Sequence, residues 1–164
     1  MICALLFVSI GVSQANASEP RLIGTYGDWS AYMFTENGKK VCYMASKPKK
    51  AEGAYTRRGE VFALVTHRPS EGTRNVFSYI TGYPYKSGSD VSVNVDDKTF
   101  TLFTQDDTAW TPDAKTDNML ASEIKQGSKM VVRGESGRGT KTVDTFSLSG
   151  STKAHAKISQ ECGR

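Results

Sequence analysis

Six aspartates fall in one stretch of the chain: Asp96, Asp97, Asp106, Asp107, Asp113 and Asp117, opposed there by Lys98 and Lys115 alone. Carboxylates at this density could bind calcium or supply the acid–base pair of a glycosidase. The Asp-x-Asp-x-Asp-Gly string of EF-hand loops is absent. A hydrolytic pair needs carboxyls about 5–10 Å apart across a cleft, which spacing along the chain does not supply. Aspartates are also ordinary turn residues. An earlier segment has the opposite sign. Lys47, Lys49, Lys50, Arg57 and Arg58 are opposed there by Glu52, and His67 and Arg68 follow. Such a basic loop suits an anionic partner such as lipopolysaccharide, a phosphate or a sulfated glycan. The competing reading is two solvated loops that pair with each other. A net charge of +4 is too modest to point to nucleic acid.

His67 and His155 are the two histidines. Zinc needs three or four nearby ligands, and a serine nucleophile elbow needs Gly-x-Ser-x-Gly. Gly88-Ser89 and Gly127-Ser128 lack the second glycine. The residues therefore nominate no catalytic group, metal or cofactor. Tyr83, Tyr85 and Trp110 are candidates for an aromatic contact surface toward sugar or peptide. Trp29 reads as core.

The run Ala4 to Val12 has the length of a signal-peptide apolar region, about 7–15 residues, and is too short for the roughly 20 residues of a membrane span. Ala15-Asn16-Ala17 suits signal peptidase, so residues 1–17 are expected to be removed. No Lys or Arg precedes the run, unlike an ordinary leader. Cleavage takes Cys3 away and leaves Cys42 and Cys162. In an oxidising compartment two remaining cysteines pair. Without Cys-x-x-Cys the bridge reads as structural, and closing so long a loop removes about 4–5 kcal/mol of denatured-state freedom. The mature part has no further apolar run long enough to span a membrane, and 18–164 has the size of one domain.

The elements that must position these groups are short and mostly extended. Trp29 to Phe34 alternates, Asn37-Gly38 makes a hairpin turn, and Val41 to Ser46 returns. Lys47 to Gly59 reads as a polar loop. Val61 to Val65 is apolar on both faces and reads as a fully buried strand. Val76 to Thr81, Val91 to Val95 and Thr99 to Thr104 are further strands, and Gln105 to Thr116 an irregular loop. A helix capped by Asp117 carries Leu120 and Ile124 up to Gly127. Met130 to Arg133 and Val143 to Leu148 form a hairpin, and Ser151 caps a last short helix. The pattern predicts a mainly β, antiparallel sandwich or barrel-like domain with one or two short helices.

Gly27-Asp28-Trp29, Lys40-Val41-Cys42-Tyr43, Leu64-Val65-Thr66-His67-Arg68-Pro69 and Gly82-Tyr83-Pro84-Tyr85-Lys86-Ser87-Gly88-Ser89 occur in order. Asp107-Thr108-Ala109-Trp110-Thr111-Pro112-Asp113, Met130-Val131-Val132-Arg133-Gly134, Ser136-Gly137-Arg138-Gly139-Thr140 and Asp144-Thr145-Phe146-Ser147-Leu148-Ser149-Gly150 follow. This ordered set resembles the invasion-associated locus B family of bacterial exported proteins, across nearly all of the mature chain. The resemblance implies a β-rich protein of the periplasm or cell surface, outer-membrane associated or secreted, with a role in host interaction or envelope maintenance. It implies no catalytic residue. The expected function is non-enzymatic binding of an envelope or host component, anionic if the basic loop is the site. The alternatives are a hydrolase of cell-wall or glycan material using a carboxylate of the Asp106–Asp117 loop, and a purely structural envelope protein.

Overall fold

The computed structural model describes residues 17–163; the expected leader through residue 16, with Cys3, lies outside the described residues. The strands are β1 (Arg21–Tyr26), β2 (Trp29–Glu36), β3 (Lys39–Ser46), β4 (Lys50–Gly53), β5 (Phe62–Arg68) and β6 (Thr73–Ile80). They continue with β7 (Asp90–Val95), β8 (Lys98–Gln105), β9 (Thr108–Trp110), β10 (Lys129–Glu135) and β11 (Lys141–Ser147). Helix α1 (Ala114–Gln126) lies between β9 and β10, and α2 (Ser151–Glu161) follows β11. All eleven strands form one antiparallel sheet in the order β1-β2-β3-β5-β6-β9-β8-β7-β10-β11-β4.

That order ends at β1 and β4, but the chain itself joins its two halves. β4 follows β3 after only Lys47-Pro48-Lys49, yet it pairs with β11, with Lys50 opposite Thr145 and Gly53 opposite Thr142. The Lys49 amide donates to the Thr145 carbonyl at 2.7 Å. Proline has no amide to give a ladder, so the chain leaves one pairing at Pro48 and enters the other. The result is barrel-like. A second seam forms where the β1–β2 turn meets the link from β11 to α2. The Asp28 amide donates to the Ser149 carbonyl and the Trp29 indole to the Ser147 carbonyl. Gly150 has φ +90, and a Cβ there would lie 1.8 Å from the Tyr26 carbonyl oxygen; only glycine fits so close a backbone approach.

Most strands arise from alternation. Val91, Val93 and Val95 are buried while Ser92 and Asn94 are half-buried. Asn37 and Gly38 both have positive φ, as a two-residue hairpin turn demands. β5 departs from expectation. Ala63, Val65 and His67 are buried, but Phe62, Leu64 and Thr66 are only half-buried, because α2 covers one face of this strand. β4 occupies part of the expected polar loop and β9 part of the expected irregular loop.

Helix α1 begins earlier than expected. Asp113, not Asp117, caps it, accepting from the Thr116 amide at 2.7 Å. Asp117 instead joins Leu120, Ala121 and Ile124 on the buried stripe. There it accepts from the Phe77 amide of β6 at 2.8 Å and from the Thr111 hydroxyl. Ser151 is not the cap of α2, a position held by Gly150; its hydroxyl donates to the Ile124 carbonyl at 2.7 Å and joins the helices. Cys162 follows α2 and is bridged to Cys42 of β3, with Cα atoms 5.9 Å apart. Among the described residues no helix is long and apolar enough to cross a membrane.

Candidate functional site

The five cations of the basic loop do not act together. Lys47 pairs with Glu60, Lys49 with Asp28 at 2.8 Å, and Lys50 with Glu52 at 2.9 Å. The Lys49 hydrogen bond holds Asp28 below the usual carboxylate range. Arg58, expected on an exposed loop, is buried: its side chain is 4% exposed and that of its partner Asp144 is fully buried. Arg57 remains exposed and makes no ion pair among the described residues.

Arg57 lines a cleft of about 750 Å³ between the segment after β4 and the β10–β11 turn. Arg138, at the tip of that turn, lines the same cleft and is likewise exposed without an ion pair among the described residues. Between them lie Tyr55, Tyr83 and the hydroxyl-bearing Ser136, Thr140 and Thr142. The turn is held by its own bonds. The Ser136 amide donates to the Thr140 carbonyl, the Gly139 amide to the Ser136 carbonyl, and the Gly137 amide to the Pro84 carbonyl. Arg138 was not among the sequence candidates; an arginine between two glycines at a hairpin tip is the signal that marks it.

Arg58 anchors one wall. Its guanidinium donates to both carboxylate oxygens of Asp144, at 2.8 and 2.7 Å, and to the Thr81 carbonyl and hydroxyl. It also lies 5.4 and 5.1 Å from the ring centroids of Tyr55 and Tyr83. Burial alone would lower its pKa, but the Asp144 hydrogen bond, with Tyr79 and the Asp144 charge beside it, outweighs that and raises it. Tyr79 donates to Asp144 as well. Burial, then the Asp144 charge, raises the tyrosine's pKa. This cluster is a fixed scaffold rather than a reactive group.

The three candidate aromatics separate. Tyr83 lines the cleft, and its hydroxyl lies 2.6 Å from that of Thr142. Tyr85 meets Tyr83 edge-on but is buried, and its hydroxyl has no hydrogen-bond partner among the described residues. Trp110 is half-buried on β9 opposite Ser78 and Phe103, with no ring contact to either tyrosine among the described residues. They form no common platform.

The aspartates disperse in the same way. Asp96 accepts from the Ser128 and Lys129 amides, Asp113 caps α1, and Asp117 is sealed beneath it. Burial raises the Asp117 pKa, yet its bonds go to the protein's own backbone and Thr111. Asp106 and Asp107 line a shallow groove with Glu60 that adjoins the arginine cleft, sharing Gly59, Gly82, Tyr83 and Pro84 with it. Among the described residues no cluster of His, Cys, Asp and Glu could hold a metal.

Both histidines serve a packing network. His67 is buried; its Nδ1 accepts from the Asn75 amide at 3.0 Å, so its Nε2 carries the proton toward Ser159 Oγ, 3.1 Å away. His155 Nε2 donates to Asn75 Oδ1 at 2.7 Å, and the rings meet edge to face at 5.3 Å. Asn75 continues to Asn118, so the network ties β5, β6, α1 and α2. Burial, with Lys125 and His67 nearby, lowers the His155 pKa to about 4, and burial lowers that of His67. Unfolded imidazoles protonate near 6.5. Between about pH 6.5 and 4 the unfolded chain therefore binds more protons, and stability falls as pH falls. We expect a loss of about 1–2 kcal/mol across this window, reduced from the full linkage value because His155 is partly open to solvent. Urea midpoints at pH 7 and pH 4.5 check it. The drop should be smaller in H155Q; an equal drop would assign it to other groups.

A family model described as Invasion associated locus B (IalB) protein matches residues 29–159. The chain belongs to this family. No curated protein and no solved structure matches it. The matched segment holds β2 through most of α2, and with them the cleft, the Arg58–Asp144 scaffold and the histidine network. Membership supports an invasion-associated envelope protein at the level of the family, and IalB is not a known enzyme family.

Proposed function

We propose that this protein is an exported, non-enzymatic binding module of the periplasm or cell surface. Its ligand is an anionic group of an envelope or host component, held in the cleft between Arg57 and Arg138. The carrying observation is that two exposed arginines without ion pairs line one cleft, while the three lysines of the basic loop are each matched by a carboxylate. Arginine presents several fixed donors to an oxyanion, and hydroxyls of the cleft can supply others. The Cys42–Cys162 bridge supports an oxidising compartment.

The test is binding to heparin and to lipopolysaccharide at low and high salt. Arg57→Glu with Arg138→Glu should weaken binding about tenfold or more at low salt. The difference should shrink toward 1 M, where the Debye length falls to about 3 Å. Lys49→Glu with Lys50→Glu should change binding much less. All four side chains are exposed, so each substitution should alter stability by no more than about 0.5 kcal/mol. Equal binding by the wild type and the arginine variant would refute the reading.

A further inference from the structure

Two hairpin tips of opposite charge are bonded to one loop. The β8–β9 turn carries Asp106 and Asp107, and the β10–β11 turn carries Arg138. On one side the Thr81 amide donates to the Asp107 carbonyl at 3.0 Å and the Tyr85 amide to the Asp106 carbonyl at 2.8 Å. On the other the Gly137 amide donates to the Pro84 carbonyl at 3.0 Å. The Gly59 amide donates to the Gly82 carbonyl at 2.9 Å, and Arg58 holds the Thr81 oxygens. The loop is thus fixed from three directions, and it fixes the two tips relative to each other. Its anchor points at Thr81 and Pro84 lie within about 11 Å of each other, the most that three residues can span. Between the tips runs the floor shared by the arginine cleft and the groove of about 680 Å³ that holds the aspartates. Two of its residues, Gly59 and Gly82, raise no side chain between the depressions. Gly82 has φ +75, and a Cβ there would lie 2.5 Å from the Gly59 carbonyl oxygen, so the position admits no other residue. Unmatched charge stands at both ends of the floor. In the groove Glu60 is paired with Lys47. Asp106 and Asp107 are exposed and make no ion pair among the described residues; Asp107 accepts from the neighbouring Thr108 hydroxyl at 3.0 Å. Arg57 and Arg138 are in the same condition at the other end, and the tips do not pair with each other.

We propose that the ligand is a peptide segment carrying charges of both signs. Its acidic group lies between Arg57 and Arg138, its backbone crosses the floor at Gly59 and Gly82, and its ammonium group meets Asp106 and Asp107. This rests on the proposed anion-binding role of the cleft and adds the second charge and the class of ligand. A purely anionic chain crossing the same floor would meet like charge at the aspartates, which costs affinity. A free amino acid holds both charges on one carbon, too close for tips that stand beyond ion-pair reach of each other. An extended peptide advances roughly 3.3 Å per residue, so acidic and basic side chains about three residues apart match the spacing of the anchors. The floor is already bonded in place, so little ordering is lost on binding. Once one end is held, the contact at the other is intramolecular.

End-blocked tetrapeptides are the probes: acetyl-Glu-Ala-Ala-Lys-amide, its reverse, and anionic versions of both with glutamine in place of lysine. Each is titrated against the wild type, R57Q/R138Q and D106N/D107N, with thermal melts confirming that both variants fold. Asparagine accepts the φ of +53 found at position 106, since it tolerates the left-handed region. One of the two-sign peptides should bind the wild type about tenfold tighter than its anionic version or better. D106N/D107N should erase that advantage without weakening the anionic version, and R57Q/R138Q should lose the anionic version itself. Two-sign peptides no tighter than the anionic ones, or an advantage that survives D106N/D107N, would overturn the proposal while leaving the arginine cleft standing. Heparin binding through the arginines with no peptide binding would do the same. Binding of the anionic peptides or heparin unaffected by R57Q/R138Q would bring down the cleft reading itself. Vesicles of phosphatidylethanolamine that bind through both tips while no peptide does would overturn the proposal in favour of a zwitterionic lipid headgroup.

Discussion

Asp144→Ala is expected to lower stability by about 3–5 kcal/mol, the range for breaking a buried ion pair by removing one partner. The loss arises because the remaining charge has nowhere to go. The Arg58 side chain is 4% exposed. Without Asp144 its guanidinium keeps the Thr81 oxygens, the Tyr79 hydroxyl at 3.2 Å and the flanking rings but no opposite charge, and Tyr79 loses its acceptor. Replacing the network by apolar groups should cost less than the single change. Arg58→Met with Asp144→Leu and Tyr79→Phe should be more stable than Asp144→Leu alone, because neither the Arg58 charge nor the Tyr79 hydroxyl is left buried without a partner. Urea unfolding of the wild type, the single variants and the triple variant measures this. A cost below about 1 kcal/mol for Asp144→Ala would mean that water reaches the site and solvates Arg58.

Reduction of the Cys42–Cys162 bridge should cost a comparable amount, about 2–5 kcal/mol. The cysteines are 120 residues apart, and for a loop of this length the chain-entropy relation gives close to 5 kcal/mol before any compensation. The bridge joins β3 to the end of α2, a helix otherwise held through Ser151, Ala154, His155, Ile158 and Ser159. Unfolding with and without reductant, beside Cys42→Ala/Cys162→Ala, provides the measurement. The reduced wild type and the double variant should coincide, and an unshifted midpoint would show that the sheet and α2 hold without the covalent tie.

The sequence was most readable where one face of a strand is buried and the other wet. Val91, Val93 and Val95 announce β7 by alternation alone, and Asn37-Gly38 announces its hairpin. Extended structure not built on apolar residues escaped notice. Lys50 to Gly53 is exposed throughout and is a strand only because β11 needs a partner. The start of α1 was misplaced because Asp113 and Asp117 are both competent caps, and the choice rests on burial of Asp117 against β6. Site residues were harder still. Glu60 and Asp28 neutralise lysines from outside the loop, and Asp144, far along the chain, takes Arg58 into the interior. Arg138 comes to share a cleft with Arg57 only once β4 has paired with β11.

The pairing of β4 with β11 bears on how the protein reaches its fold. β3 can find β2 early, since the Asn37-Gly38 turn brings them together at once. β4, three residues further on, has no partner until β11 has been synthesised and positioned, because Lys50 pairs with Thr145. Pairing across so long a separation is slow, since loop entropy is lost before the contact repays it. In the interval both free edges of the sheet offer open hydrogen-bonding groups to other chains. The charged, fully exposed β4 is a poor template for such pairing, so the strand that waits longest is also among those least prone to aggregate while it waits.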